Sequence, residues 1–108
     1  MTDRELELID SSKSEDMETA IEAITALCHE FFFPRNEFEK AEYLIFEKIG
    51  FQSSYFGHIL EFTLAETYLK MGEITRARRF NGIALKSSVP SVREKAQVLQ
   101  EQIEALPS

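Results

Sequence analysis

The chain carries one six-residue succession twice. Asn36-Glu37-Phe38-Glu39-Lys40-Ala41 and Gly72-Glu73-Ile74-Thr75-Arg76-Ala77 both read turn former, Glu, apolar residue, two polar residues, Ala, displaced by 36 residues. A period of this length marks stacked supersecondary units, each unable to bury its apolar face alone. The sequence around both copies has helical periodicity. Met17, Ala20, Ile21, Ile24, Leu27 and Cys28 predict a helix over about 15–32, with Ser12 and Glu15 spaced as a capping box. Pro34 lacks a backbone donor and sets a turn, after which Phe38, Ala41, Tyr43, Leu44, Ile45, Phe46 and Ile49 predict a second helix ending near Gly50. A third is expected over 55–71, on Ile59, Leu60, Phe62, Leu64, Ala65, Tyr68 and Leu69, and a fourth over 74–86. A fifth opens after Pro90, with Ser91 and Glu94 as its capping box. The expected fold is therefore all-α, five helices without a strand, joined by connections short enough to make antiparallel helical hairpins. Residues 1–14, polar apart from Leu6, Leu8 and Ile9, read as a flexible N-terminal arm, which leaves 15–108 as a single helical domain.

Composition narrows the function. A chain of 108 residues, 44% hydrophobic, supports one modest core. Its longest apolar run is Phe31-Phe32-Phe33, far below the roughly 18 to 20 residues of a membrane span, and Met1-Thr2-Asp3-Arg4-Glu5 has no signal-peptide character, so a cytoplasmic location is expected. The net charge of −7 has the wrong sign for a phosphate-backbone binder, so no nucleic-acid partner is expected. The acidity lies in residues 1–50, with thirteen acids against five bases, whereas 51–108 hold six against seven. A basic or neutral protein suits such a chain better.

The second copy of the repeat resembles a tetratricopeptide repeat over about 58–91. Leu64-Ala65 and Tyr68 stand at the Leu-Gly/Ala and Tyr places of its first helix, Gly72 at its turn, Ala77 and Ala84 at the small-residue places of its second, and Pro90 one residue past the closing proline. Glu61 and Asn81 depart, standing where a large aromatic and an apolar residue are usual. The first copy, about 22–55, is degenerate: Phe32, Asn36, Ala41 and Ile45 fit, while Cys28-His29 and Lys48 do not. The resemblance implies hairpins stacked as a short tetratricopeptide-like array, with the Gln- and Glu-rich last helix as its C-terminal cap. The alternative is an unrelated five-helix orthogonal bundle.

Little in the chain is built for catalysis. Gly50, Gly57, Gly72 and Gly82 form no phosphate-cradling loop, and His29 and His58 have no metal-ligand spacing, so neither cofactor nor metal is expected. Cys28, the single cysteine, sits beside His29, but adjacent helical residues point about 100° apart and do not face each other. Glu15, Asp16, Glu18 and Glu22 read as a helix-dipole cluster or an acidic docking face. Arg76, Arg78 and Arg79 form a secondary basic patch, either a solvated outer face or an anion site. Three consecutive phenylalanines cannot all face one core, so one of Phe31, Phe32 and Phe33 should be partly exposed.

What the resemblance implies for function is binding without catalysis. The first helices of the hairpins would line a concave groove, at Ala23, Ala26, Glu30 and Phe33 in the first hairpin and Ile59, Phe62, Glu66, Leu69 and Lys70 in the second. The Lys and Asn pattern that clamps a C-terminal carboxylate is missing there, so an apolar, basic peptide or amphipathic helix of a partner is the expected ligand. The leading expectation is a small adaptor or scaffold, not an enzyme. The alternatives are a dedicated chaperone for a secreted or assembling subunit and a homo-oligomeric structural module.

Overall fold

The computed structural model describes residues 2–50 and 53–107 and is all-α. Its helices are α1 (Asp3–Ser12), α2 (Met17–Leu27) continued by a π-helical turn (Cys28–Phe32), α3 (Phe38–Lys48), α4 (Ile59–Lys70), α5 (Ile74–Ala84) and α6 (Pro90–Glu104), with no strand among the described residues. The chain divides into two compact units, Met1–Ile49 and Gly50–Ser108, holding α1 to α3 and α4 to α6.

In the first unit, α1 and α3 each pack on α2. The segment expected to be a flexible arm thus contains a helix, making six among the described residues rather than five. Its N-cap is Thr2, which accepts from the Glu5 backbone N–H at 3.1 Å. Its anchor is tertiary, because Glu5 is only 1% exposed and its Oε2 lies 2.9 Å from Nη1 of Arg35, thirty residues away. Ser12 ends α1 and bonds the Ile9 carbonyl, so it does not cap α2. Asp16 takes that role, accepting from the Thr19 N–H at 3.3 Å.

Ala20, Ile21, Ile24, Leu27 and Cys28 form the buried face of α2. At its end the Phe33 N–H reaches back five residues to the Cys28 carbonyl at 2.9 Å. The wider turn re-aims the following side chains, and adjacent Phe32 and Phe33 are both buried while Phe31 is half-buried.

The repeated six-residue pattern is also a repeat of local geometry. Asn36 and Gly72 both have positive φ, 58° and 80°. The N–H of the following Glu bonds five residues back in each copy, Glu37 to Phe32 at 2.8 Å and Glu73 to Tyr68 at 2.9 Å. This left-handed residue followed by a 6→1 bond is how a helix is closed and the chain turned back. The alanines that end the two patterns, Ala41 and Ala77, have no exposed surface.

In the second unit α4 is buried on nearly every side, and both α5 and α6 pack on it. Ala77 and Ala84 are fully buried, and the Tyr68 and Phe80 rings stack at 5.7 Å. Helix α4 begins at Ile59, not near Tyr55, because Gly57 and His58 adopt left-handed φ of 70° and 56°. Gly57 is tightly held: Ser87 Oγ donates to its carbonyl at 2.6 Å, and an added Cβ would lie 2.4 Å from Val89 Cγ2. Helix α6 starts at Pro90 without a side-chain cap, so the Ser91–Glu94 box does not form. Proline's fixed φ at the first helical position does that work.

Candidate functional site

The residues that depart from the repeat pattern turn out to be buried polar groups within the second unit. Asn81 has no exposed surface, and its Nδ2 donates to the Ala96 carbonyl at 2.9 Å and to Gln100 Oε1 at 3.2 Å, which ties α5 to α6. Glu61 is buried beside His58, 3.1 Å from its Nδ1. Both polar substitutions act in packing.

The residues expected to line the groove fall into two sets. In the first unit Ala26 is half-buried, Phe33 is a core side chain in edge-to-face contact with His29, and exposed Glu30 is engaged by Arg4 of α1 at 3.0 Å. In the second, Phe62 is core, Ile59, Glu66 and Leu69 are half-buried, and Lys70 is exposed. The two phenylalanines therefore offer little open surface. Arg76, Arg78 and Arg79 are exposed, but the Arg76 and Arg79 guanidinium groups lie 5.5 Å and 5.8 Å from the Tyr68 and Phe80 ring centroids, seated over the stacked pair. Cys28 is wholly buried. No group of three or more His, Cys, Asp or Glu side chains placed to hold a metal occurs among the described residues, and none of the described helices is long and apolar enough to cross a membrane.

The first unit contains a pocket that the sequence did not disclose. It is an open pocket of about 420 Å³ between α1, the π-turn and α3, lined by Glu5, Ile9, Phe32, Glu39, Lys40, Tyr43 and Leu44. That volume lies within the roughly 300–1,000 Å³ of ordinary ligand sites. Large apolar side chains stand exposed on the same two helices: Leu6 on α1, three residues before Ile9, and Tyr43 and Phe46 on α3, at 66% and 47% exposure. A hydrogen bond to the Glu47 carboxylate holds the Tyr43 phenol above its ordinary pKa.

Glu5 lines the pocket with its carboxylate buried. Arg35 holds its Oε2, lies 3.5 Å from Glu37 and stacks 5.2 Å from the Phe31 ring centroid. The carboxylates of Glu5, then Glu37, raise the Arg35 pKa further. Lys40, and then Arg35, hold Glu37 below the usual carboxylate range. The other oxygen of Glu5, Oε1, is buried and has no hydrogen-bond partner. Helix α1 carries Asp3, Glu5, Glu7 and Asp10 against Arg4, and α3 carries Glu39, Glu42 and Glu47 against Lys40 and Lys48. The pocket can receive an apolar group, with Glu39 and Lys40 as the other charged side chains of its lining and an excess of carboxylates on the two helices that flank it.

Alternating helical spacing on α3 could have flagged Tyr43 and Phe46 as an outer apolar stripe. Glu5 had no local signal at all. Compared with known proteins, the chain matches no family model, and no curated protein or solved structure is significantly similar to it.

Proposed function

We propose that this chain is a small protein-interaction module of tetratricopeptide-like helical hairpins, an adaptor that docks an apolar, basic segment of a partner on the α1–α3 face. The repeated turn geometry at Asn36 and Gly72 and the buried Ala77 and Ala84 support the hairpin reading. The observation that carries the docking reading is the apolar pocket lined by exposed Tyr43, with Leu6 and Phe46 also exposed on the same two helices, which hold seven carboxylates against three bases. Large apolar side chains exposed around a pocket mark an interaction site, and an excess of carboxylates on the same helices steers a cationic partner. The burial of Phe33 and Phe62 in the core favours the face of α3 over a groove along those two side chains.

The test compares capture of partners by the wild-type chain and by a Tyr43→Ala, Phe46→Ala double variant. Both residues are exposed, so the melting temperature should hardly move. Truncating interface anchors at about 2 kcal/mol each should weaken the partner about thirtyfold per anchor, and about a thousandfold for the pair if they add. Undiminished binding by the double variant, with loss on Arg76→Ala, Arg78→Ala and Arg79→Ala together, would move the site to α5 and refute the proposal.

A further inference from the structure

The structure assigns to the α1–α3 pocket one kind of occupant: an aromatic side chain of a partner that carries a neutral hydrogen-bond donor, a tryptophan or a tyrosine, read by the Glu5 carboxylate. The inference rests on the docking reading above and adds what the pocket selects. Glu5 is 1% exposed, lines an otherwise largely apolar cavity, and has one oxygen held by Arg35 and the other without a partner. A buried acceptor left unpaired costs stability, and a donor entering the cavity relieves that cost only when the site is filled. The terminal torsion of a glutamate is broad, so the carboxylate can turn to present Oε1 to the cavity, and the long, partly exposed Arg35 side chain can follow Oε2 as it moves.

The donor should be neutral. The Glu5–Arg35 pair is already charge-balanced, and a second cation driven against it would need desolvation with no further buried anion in the pocket lining. Positive charge belongs on the residues flanking the anchor, because Glu39 lines the pocket and the two helices together carry seven carboxylates against Arg4, Lys40 and Lys48. The cavity of about 420 Å³ is roomy enough for one bicyclic aromatic ring. Indole N–H and phenol O–H groups find a partner when buried, which is why these two side chains anchor interfaces.

The experiment titrates the full chain with indole and with indene, its near-isostere lacking the N–H, following backbone amide shifts by NMR. Indole should perturb Ile9, Tyr43 and Leu44 and bind at least tenfold more tightly than indene. In Glu5→Met, checked for an intact melt, both probes should bind alike. Equal affinities in the wild-type chain would overturn the reading by Glu5 while leaving partner docking to its own capture test. Persistent discrimination in Glu5→Met would overturn it too, as would shifts confined to α4–α6. Strong preference for hexylammonium over indole would replace the neutral donor with a cation and refute the assignment.

Discussion

Asn81→Asp is the sharpest perturbation of the second unit, since it exchanges one atom and keeps the shape. Asn81 is fully buried and its Nδ2 serves two acceptors, the Ala96 carbonyl and Gln100 Oε1. The aspartate would set a carboxylate oxygen against both, removing two hydrogen bonds of about 1 kcal/mol each. An unpaired buried charge adds its own penalty, and 3–5 kcal/mol is the usual range for leaving one uncompensated. Gln100 can relieve part of this by turning its amide, but it then gives up the bond its Nε2 donates to Glu104 at 3.1 Å. A loss of about 4 kcal/mol at pH 7 is expected, read as a shift in the urea midpoint at constant slope. The pH dependence carries a second signature. Burial raises the aspartate pKa in the folded state above its unfolded value near 3.9, so the penalty is full above the folded pKa and shrinks as pH falls towards the unfolded one. The stability gap between variant and wild type should therefore narrow from pH 7 to pH 4. A loss below 1 kcal/mol, or a gap independent of pH, would refute the buried link between α5 and α6.

Gly57→Ala should destabilise the second unit by more than 1 kcal/mol in thermal melts, because φ is +70° and the new Cβ would strike Val89. Ala77→Leu should overpack the closed contact around a residue with no exposed surface and cost about 1–3 kcal/mol in a denaturant melt, whereas an unchanged melt would contradict close packing there. Glu37 is held below the ordinary carboxylate pKa by Lys40 first and Arg35 second. Its stabilising contribution is present above the unfolded pKa and is lost as pH falls through the lowered folded one. Carboxyl NMR titration should show that low midpoint, and Lys40→Ala should raise it.

Five of the six helices were legible because their apolar residues recur with helical spacing strongly enough to survive local misreadings. Both expected capping boxes failed for the same reason: Ser12 and Ser91 sit in helices that other residues already start, Thr2 in one case and Pro90 in the other. Helix α1 was missed because Leu6, Leu8 and Ile9 are too few to outvote seven polar neighbours, and what holds it is a carboxylate pairing with Arg35 across thirty residues. No local pattern encodes such a contact. The same contact hid the pocket, whose lining comes from α1, the π-turn and α3 and includes Glu5, a residue that composition would place in solvent. At Phe31-Phe32-Phe33 the expectation of one partly exposed ring agrees with half-buried Phe31, while the burial of both its neighbours follows from a π-turn that helical periodicity does not anticipate.

Docking on the α1–α3 face is tested most directly by placing a photo-crosslinking phenylalanine analogue at position 43 and, separately, at position 98, where Val98 is 55% exposed on α6. Irradiation in cells followed by mass spectrometry identifies both the adduct and the partner peptide that forms it. The expected result is a discrete adduct from position 43, on a segment carrying a tryptophan or tyrosine among lysines or arginines, with none from position 98. An adduct from position 98 and none from position 43 would contradict docking on this face.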